Sequence, residues 1–341
     1  MARKKITFQG LRSLPFEEWE EELTVGKPII SPRNPYARVA VSMPSAHTAD
    51  DSDPASKFLY YFSLGSGSSG NSCYIGTKNS GIIIDAGIKT DDIEAKMRHH
   101  GIDMGKIVGV LLTHDHSDHV KYVYTLVRNH KHLRVFCTNR VLNGLLRRHN
   151  IAKRLKDYHV PIFKEIPFTL GDFEITAFEV PHDGSDNMGF SVDFAGRRFV
   201  LATDMGKISA RARHYIEGAN YLVVESNYDL QMLVQGRYPE YLKARIQTEF
   251  GHMDNMQTAA LLKEVVTPKL THVFLCHLSQ DNNTPAKALD ASRKVLEEMG
   301  LKVGNAEDTI EDRKADIQLM ALPRFESTRL FVFRPLAEGQ K

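Results

Sequence analysis

The sequence has 341 residues, 42% of them hydrophobic and 25% charged, which are ordinary values for a globular protein with a substantial buried core. No run of 18 or more apolar residues occurs and no secretory signal is evident, so we expect a cytoplasmic protein without a membrane span. The three cysteines are too few for a disulfide framework or a thiolate metal cluster, so any metal site would rely on imidazole and carboxylate ligands.

Residues 1–56 differ in composition from the rest of the chain. They hold six of the 14 prolines and end in the polar stretch SAHTADDSDPAS, which lacks any apolar periodicity. This pattern predicts a loosely ordered extension and linker, followed by a folded domain over residues 57–341.

From residue 58 onward, strand patterns alternate with helix patterns. The predicted strands of the first half are FLYYFSL, CYIG, GIIID, KIVGVLL and LRVFCT, and its predicted helices are TDDIEAKMRHHG, residues 118–130 and NRVLNGLLRRH. The second half adds paired strands from FTLGDFEITAFEV and GFSVDFAGRRFVLATD, the strands YLVVES, THVFLCHLS, IQLMAL and RLFVF, and helices near 229–247, 256–266 and TPAKALDASRKVLEEMG. Because strands and helices alternate in this way, we expect an α/β fold of two mixed β-sheets flanked by helices.

One motif, HDHSDH at residues 114–119, directly follows the buried strand VGVLL. In a loop just past a strand, alternate side chains can point toward one place. His114 and His116 can therefore share one metal ion, while Asp118 and His119 reach a second. The alternative is a polar surface loop, which explains poorly why four coordinating side chains occur among six residues.

This motif resembles that of the metallo-β-lactamase superfamily, whose fold is an αβ/βα sandwich of four layers. The resemblance implies an aspartate before the motif and three later ligands, each at the end of a strand. The matching residues are Asp85, His182, Asp204 and His277, which lie in GIIIDAG, VPHDGSDN, VLATDMG and FLCHLSQDNN respectively. Four matches in the right order favour the family over coincidence.

The resemblance implies a centre for two divalent metal ions, zinc or manganese, with iron as a further option. Seven residues would bind them: His114, His116 and His182 for one ion, Asp118, His119 and His277 for the other, and Asp204 as the bridge. Asp85 would not bind metal, but would orient a metal-bound imidazole through its second nitrogen. Such a centre acidifies a water molecule and neutralises charge on the attacked group, so we expect hydrolysis.

Two observations bear on which bond is cut. Superfamily members that open β-lactams usually carry cysteine or serine at the bridging position, where this chain has Asp204. Glu225 and His252 resemble the acid–imidazole pair of the transfer-RNA-processing and nuclease members, in which a protonated imidazole donates a proton to the leaving oxygen. We therefore expect phosphodiester hydrolysis with Asp118, Glu225 and His252 as catalytic residues. Alternatively, Glu225 forms a simple ion pair and His252 caps a helix.

The opening segment SLGSGSSGNSCYIG, together with HDHSDH, ESNYD, GHMDN and HLSQDNN, narrows the resemblance to the YycJ/WalJ group, over roughly residues 58–300. For that group the implied activity is that of a metal-dependent DNA exonuclease acting from the 5′ end. The glycines of the opening segment would let backbone approach the metal site. Its polar side chains would donate hydrogen bonds to a phosphate; these are Ser66, Ser68, Ser69 and Asn71. A plain hairpin turn is the alternative.

The segment from residue 119 to residue 156 contains ten Lys and Arg residues and no Asp or Glu, although the whole chain has a net charge of only +2. It forms either a solvated face or a surface for a polyanion. Its place beside the metal motif favours contact with a DNA backbone, through Arg147 and Arg148. The histidines outside the motifs are expected to be surface groups; they include His99, His100, His130, His132, His149 and His159.

Two other functions fit the same residues. A small-molecule phosphodiesterase acting on cyclic phosphates would use the same metal centre, and a non-catalytic regulatory protein would carry it as a vestige. The completeness of the ligand set counts against a vestige, and the size of the substrate would separate the two enzymes. The sequence leaves the oligomeric state open.

Overall fold

The computed structural model of the protein describes residues 57–149 and 153–335. The extension predicted for residues 1–56 lies outside these ranges, so the predicted domain boundary stays a prediction. Within the described ranges no helix is both long and apolar enough to cross a membrane.

Strands and helices alternate along the described chain, as expected. The strands are β1 (Leu59–Gly65), β2 (Ser72–Gly76), β3 (Gly81–Ile84), β4 (Ile107–Leu111), β5 (Val135–Cys137), β6 (His159–Pro161), β7 (Phe168–Leu170), β8 (Phe173–Glu179), β9 (Met188–Phe194), β10 (Arg197–Ala202), β11 (Tyr221–Glu225), β12 (His272–Cys276), β13 (Val303–Gly304), β14 (Ile317–Ala321) and β15 (Phe331–Phe333). The helices are α1 (Thr90–His99), α2 (Ser117–Val120), α3 (Val123–Asn129), α4 (Asn139–Arg148), α5 (Ala210–Glu217), α6 (Leu230–Gln235), α7 (Glu240–Ile246), α8 (Asn255–Val265) and α9 (Pro285–Glu298).

The strands form two mixed sheets in the described part of the chain. One has the order β15-β1-β2-β3-β4-β5-β6, and the other has the order β13-β14-β12-β11-β10-β9-β8-β7. Parallel pairing runs from β3 to β6 in the first sheet and joins β10, β11, β12, β14 and β13 in the second. The predicted α/β fold of two mixed sheets flanked by helices is confirmed.

Alternating side chains of β10 show how the layers pack. Phe199 belongs to a large apolar core shared by both sheets, where the ring of Tyr61 on β1 lies 4.8 Å from the ring of Phe199. The next residue, Val200, belongs instead to a second core built with helices α5, α8 and α9. Successive strand residues point to opposite faces, so the second sheet is buried on both sides, as in a four-layer sandwich.

Two predicted helices are each broken in the structure. The helix predicted over residues 118–130 is interrupted at Tyr122, whose backbone N–H donates to Ala86 O at 3.0 Å instead of continuing the helix. The helix predicted near 229–247 splits into α6 and α7, because Pro239 stands at the N-cap of α7 and lacks a backbone N–H. The short strands β6 and β13, of three and two residues, were not predicted.

The topology places the functional side chains at one edge of each sheet. The predicted metal ligands, Asp85 and Glu225 all end a strand or come shortly after one: Asp85 after β3, the 114–119 motif after β4, His182 after β8, Asp204 after β10, Glu225 at the end of β11 and His277 after β12. Because the carboxyl ends of parallel strands meet at the same edge, these side chains converge. His252 instead lies between α7 and α8.

A buried arginine ties together the two ends of the described chain. The guanidinium of Arg197, which is 1% exposed, donates to Phe333 O at 2.8 Å, to Arg334 O at 3.0 Å and also to Lys57 O. These bonds join β10 to the residues that flank β1 and β15.

We expect Arg197→Ala to lower the free energy of unfolding by about 2–4 kcal/mol, because it leaves three carbonyl oxygens without their donor and opens a void. Urea denaturation measures this change. The control is Arg198→Ala, which removes a partly exposed side chain paired with Asp193 and should cost less than about 1 kcal/mol. Equal losses for the two variants would contradict the structural role given to Arg197.

Candidate metal centre

Three residues of the centre have an unusual backbone conformation. The φ angles of Asp85, Asp204 and His277 are 61°, 51° and 55°. Residues other than glycine rarely adopt this left-handed region, and when they do they are concentrated at functional sites. Asp85 and His277 directly follow strands and Asp204 comes two residues after one, so the chain turns at the strand ends where these side chains lie.

One group of imidazoles brings together His114, His116 and His182. His116 Nδ1 lies 3.2 Å from His182 Nε2, and one nitrogen from each of the three rings lies within 4.8 Å of the others. His114 Nε2 is buried and has no hydrogen-bond partner among the described residues. Burial, together with the neighbouring His119, lowers the pKa of His114 well below its usual value, so its ring is neutral and has a free lone pair. A neutral imidazole with an unpaired buried nitrogen is suited to a metal ion.

A second group contains Asp118, His119 and His277, whose ligand atoms also lie within 4.8 Å of one another. Asp118 Oδ2 is 3.1 Å from His277 Nε2. Asp204 lies between the two groups, because its Oδ2 is 3.2 Å from His119 Nε2 and its Oδ1 is 3.8 Å from His182 Nε2. The structure therefore brings all seven predicted ligands to one place, in an arrangement that suits divalent cations.

The outward-facing ring nitrogens have partners that fix the imidazoles. Asp85 Oδ2 is 2.7 Å from His119 Nδ1, and the same carboxylate accepts bonds from the backbone N–H and the hydroxyl of Thr113, both at 2.9 Å. His182 Nδ1 is 2.9 Å from Gly251 O, and His114 Nδ1 is 3.0 Å from Thr113 Oγ1. Each contact occupies one ring nitrogen and leaves the other for metal, which is the role predicted for Asp85.

Glu225 and His252 lie in contact beside this cluster. Glu225 Oε1 is 2.7 Å from His252 Nδ1, and Glu225 Oε2 accepts the backbone N–H groups of Met205 and Met253 at 2.9 and 3.1 Å. Burial lowers the pKa of His252, but the Glu225 and Asp204 carboxylates together raise it by more, so the pKa is raised overall. Glu225 Oε1 also lies 3.1 Å from His277 Nδ1, a contact that the sequence did not predict.

Comparison with known proteins decides the family. The family model described as the beta-lactamase superfamily domain matches residues 81–277. Exodeoxyribonuclease YycJ of Bacillus anthracis is 36% identical over 248 residues, which cover 73% of this chain and 93% of that protein. The chain belongs to the metallo-β-lactamase superfamily. It is therefore a metal-dependent hydrolase.

A second curated relative and one solved structure also match this metallo-β-lactamase-fold hydrolase. Exodeoxyribonuclease WalJ of Streptococcus pneumoniae is 29% identical over 245 residues, covering 72% of this chain and 90% of that protein. The crystal structure of the metallo-β-lactamase-fold protein YhfI of Bacillus subtilis superposes with a TM-score of 0.56 at 14% identity, covering 81% of this chain and all of that one. The structural match supports the four-layer fold.

The glycine-rich segment of the hydrolase contacts two of the candidate metal ligands directly. Ser66 Oγ accepts the backbone N–H of His277 at 2.9 Å, and Asn71 Nδ2 lies 3.0 Å from His119 Nε2. The side chains of Ser66 and Asn71 are buried. Ser68 and Ser69 are both exposed, but only Ser68 of these two lines the cleft over the centre. Of the four predicted phosphate contacts, Ser68 is thus the one placed to meet a substrate, and Ser66 and Asn71 contact the ligand residues.

The cleft over the centre has a volume of about 370 Å³. The residues that line it are Ser68, Asp115, His116, Ser117, Asp118, Arg148, His149, Asp204, Arg245, His252 and His277. Arg148 is among them but Arg147 is not, because adjacent positions of a helix point in different directions. Arg245 was not singled out in the sequence, since no motif surrounds it.

Helix α4 packs closely against the metal motif. A Cβ on Gly144 would lie 2.1 Å from Asp115 Oδ2, so only glycine allows this approach. His149 Nε2 lies 2.6 Å from Asp115 O, and His149 lines the cleft. His149, the C-cap residue of α4, is therefore half-buried against the motif and belongs to none of the groups that could hold a metal ion among the described residues.

We expect Asp85→Asn to weaken metal binding by about 10–100-fold, because the amide keeps the size of the side chain but loses the charge that holds His119. Competition with a chromophoric chelator measures the affinity. Asp103→Asn, which changes an exposed aspartate whose Oδ1 accepts the N–H of Gly105, is the control and should bind metal like the unmodified protein. Unchanged affinity in Asp85→Asn would contradict the orienting role.

Proposed function

We propose that this hydrolase cleaves phosphodiester bonds with two divalent metal ions and degrades DNA from the 5′ end. The observation that carries this proposal is the position of the Asp204 carboxylate between the two groups of candidate ligands, beside the Glu225–His252 pair. Zinc, manganese or iron bound by these residues would lower the pKa of a water molecule and neutralise charge on the phosphoryl group.

Side chains around the cleft would provide the proton donor and the phosphate contacts. Glu225 occupies Nδ1 of His252 and favours its protonated form, so Nε2 is the atom left to donate a proton to the leaving oxygen as the P–O bond breaks. Arg148 and Ser68 line the same cleft and are placed to bind phosphate oxygens.

Three observations support a DNA exonuclease. The curated relatives from B. anthracis and S. pneumoniae are named exodeoxyribonucleases, and the alignments cover at least 90% of their lengths. The cleft, with a volume of about 370 Å³, has room for a terminal nucleotide over the centre. Arg140 and Arg147 are exposed on α4, the helix that also carries the cleft residue Arg148, and suit contacts with the phosphates that follow. We place the enzyme in the cytoplasm, where its three free, buried cysteines would stay reduced.

Digestion of end-labelled single- and double-stranded DNA with zinc, manganese and iron in turn tests the proposal. A 5′ label should be released as a mononucleotide at early times, while 3′-labelled DNA shortens gradually. His116→Ala should abolish this activity. Release from the 3′ end, or hydrolysis of cyclic phosphates without hydrolysis of DNA, would overturn the proposed substrate. If no phosphodiester were hydrolysed in the presence of metal, the proposed phosphodiesterase activity would be wrong.

We expect Arg148→Glu to raise the KM for oligonucleotides at least tenfold, because it reverses a charge in the cleft. The slope of log affinity against log salt concentration should become less steep, by about the amount expected for one phosphate contact. Turnover of a small chromogenic diester should fall much less than that of oligonucleotides, and its loss reflects the broken pair between Arg148 Nε and Asp115 Oδ2, which lie 3.5 Å apart. The matched charge reversal Lys294→Glu lies on α9 and is exposed, so it should affect neither substrate. An equal loss on both substrates would count against a phosphate contact by Arg148.

We expect Glu225→Gln to move the alkaline limb of the kcat profile to lower pH. The protonated form of His252 is lost as pH rises through its pKa, and Glu225, with a smaller effect from Asp204, raises that pKa against the effect of burial. Kinetics from pH 5 to 10, with metal content checked at each end, measure the limb. Glu217→Gln, an exposed change on α5, is the control. An alkaline limb that stays in place would argue against His252 as the proton donor.

A further inference from the structure

We propose that Asp183 is a positioning residue that fixes the metal ligand His116, and that Arg245 holds Asp183 in place for this task. The inference rests on the metal centre of the proposed function but on no particular substrate.

His116 faces the cluster with its Nδ1 atom, whereas His114, His119 and His182 use Nδ1 for contacts outside the cluster. Its Nδ1 lies 3.2 Å from His182 Nε2, inside the ligand group, so its Nε2 points away from that group. The outward nitrogens of His114, His119 and His182 are within 3.0 Å of Thr113, Asp85 and Gly251. For His116, the group found at this position is Asp183, whose Oδ1 lies 3.3 Å from Nε2.

The two oxygens of Asp183 have different surroundings. Oδ2 accepts a bond from Arg245 Nε at 2.7 Å and lies 2.6 Å from Arg245 Nη2. Oδ1 is buried and has no hydrogen-bond partner among the described residues. A buried carboxylate oxygen without a donor is costly, so a donor is expected to reach it.

Metal binding supplies that donor. When the lone pair of His116 Nδ1 is committed to a cation, the ring proton resides on Nε2, which faces Asp183 Oδ1. The result is a carboxylate–imidazole–metal chain, in which the carboxylate fixes the ring orientation and increases the basicity of the ligand. Arg245 in turn keeps the carboxylate from rotating away, because it binds the other oxygen.

A simple surface ion pair is the competing explanation for Asp183 and Arg245. Their side chains are 30% and 56% exposed, and such pairs contribute about 0–1 kcal/mol to stability. The two explanations differ in one measurable property, since an ion pair alone leaves metal affinity unchanged. Asp193 provides a matched comparison: it is 31% exposed and bound by Arg198 Nε at 2.9 Å.

The test is zinc binding measured by chelator competition, without DNA. Asp183→Ala should lose about 10–100-fold in affinity for one of the bound ions. Asp183→Asn should lose less, because its amide oxygen still accepts a bond. Asp193→Ala should bind zinc like the unmodified protein. Thermal unfolding of the metal-free variants verifies that each one folds.

A second readout follows the proton itself. In the zinc-loaded protein, the Nε2–H of His116 should give a slowly exchanging NMR signal, and this signal should disappear in Asp183→Ala. If Asp183→Ala binds zinc as tightly as Asp193→Ala, the inference is wrong while the proposed function stands. If the unmodified protein binds no zinc, manganese or iron, both fail.

Discussion

The centre depends on keeping the carboxylate of Asp204 ionised inside the protein. Burial alone would raise the pKa of this group, but His277 and His119 lower it by more, and the result is well below the usual value. A buried charge is tolerated when paired groups surround it, and here they come from different sheets. Holding Asp204 against imidazoles from the 114–119 motif therefore requires the carboxyl edges of both sheets to meet. That requirement explains the long mixed sheets and the turned conformations at Asp85, Asp204 and His277.

Close backbone packing serves the same requirement. Gly87 follows Asp85 and lies against α2, where a Cβ would fall 1.6 Å from Asp118 O. Ala86 N–H donates to His119 O at 2.7 Å, and Asn71 N–H donates to Asp118 O at 2.7 Å. The motif helix is thus held by backbone from β3 and from the glycine-rich segment. Its ligands are positioned by main-chain contacts as well as by their own side chains.

Much of the fold and the 114–119 motif could be predicted from local sequence, whereas the resemblance to the family supplied the later candidate ligands. The strand VGVLL and the HDHSDH motif that follows it are contiguous, and the later ligands each end a recognisable apolar run. Contacts between distant residues could not be predicted. Asp183 and Arg245 are 62 positions apart, and their meeting depends on where α7 begins after its break at Pro239. Likewise, nothing in the composition of the serine- and glycine-rich segment indicates that Ser66 and Asn71 contact His277 and His119.

The placement of β15 has a consequence for how the chain folds as it is made. This strand pairs with β1, at the opposite end of the described chain, and Arg197 anchors its last carbonyl. Until β15 leaves the ribosome, β1 lacks a partner on that side among the described strands, although β2 to β6 are already synthesised. Such an edge can pair with other chains, so the last strand also closes a site of aggregation. Folding is therefore completed late, by a contact between residues more than 260 positions apart.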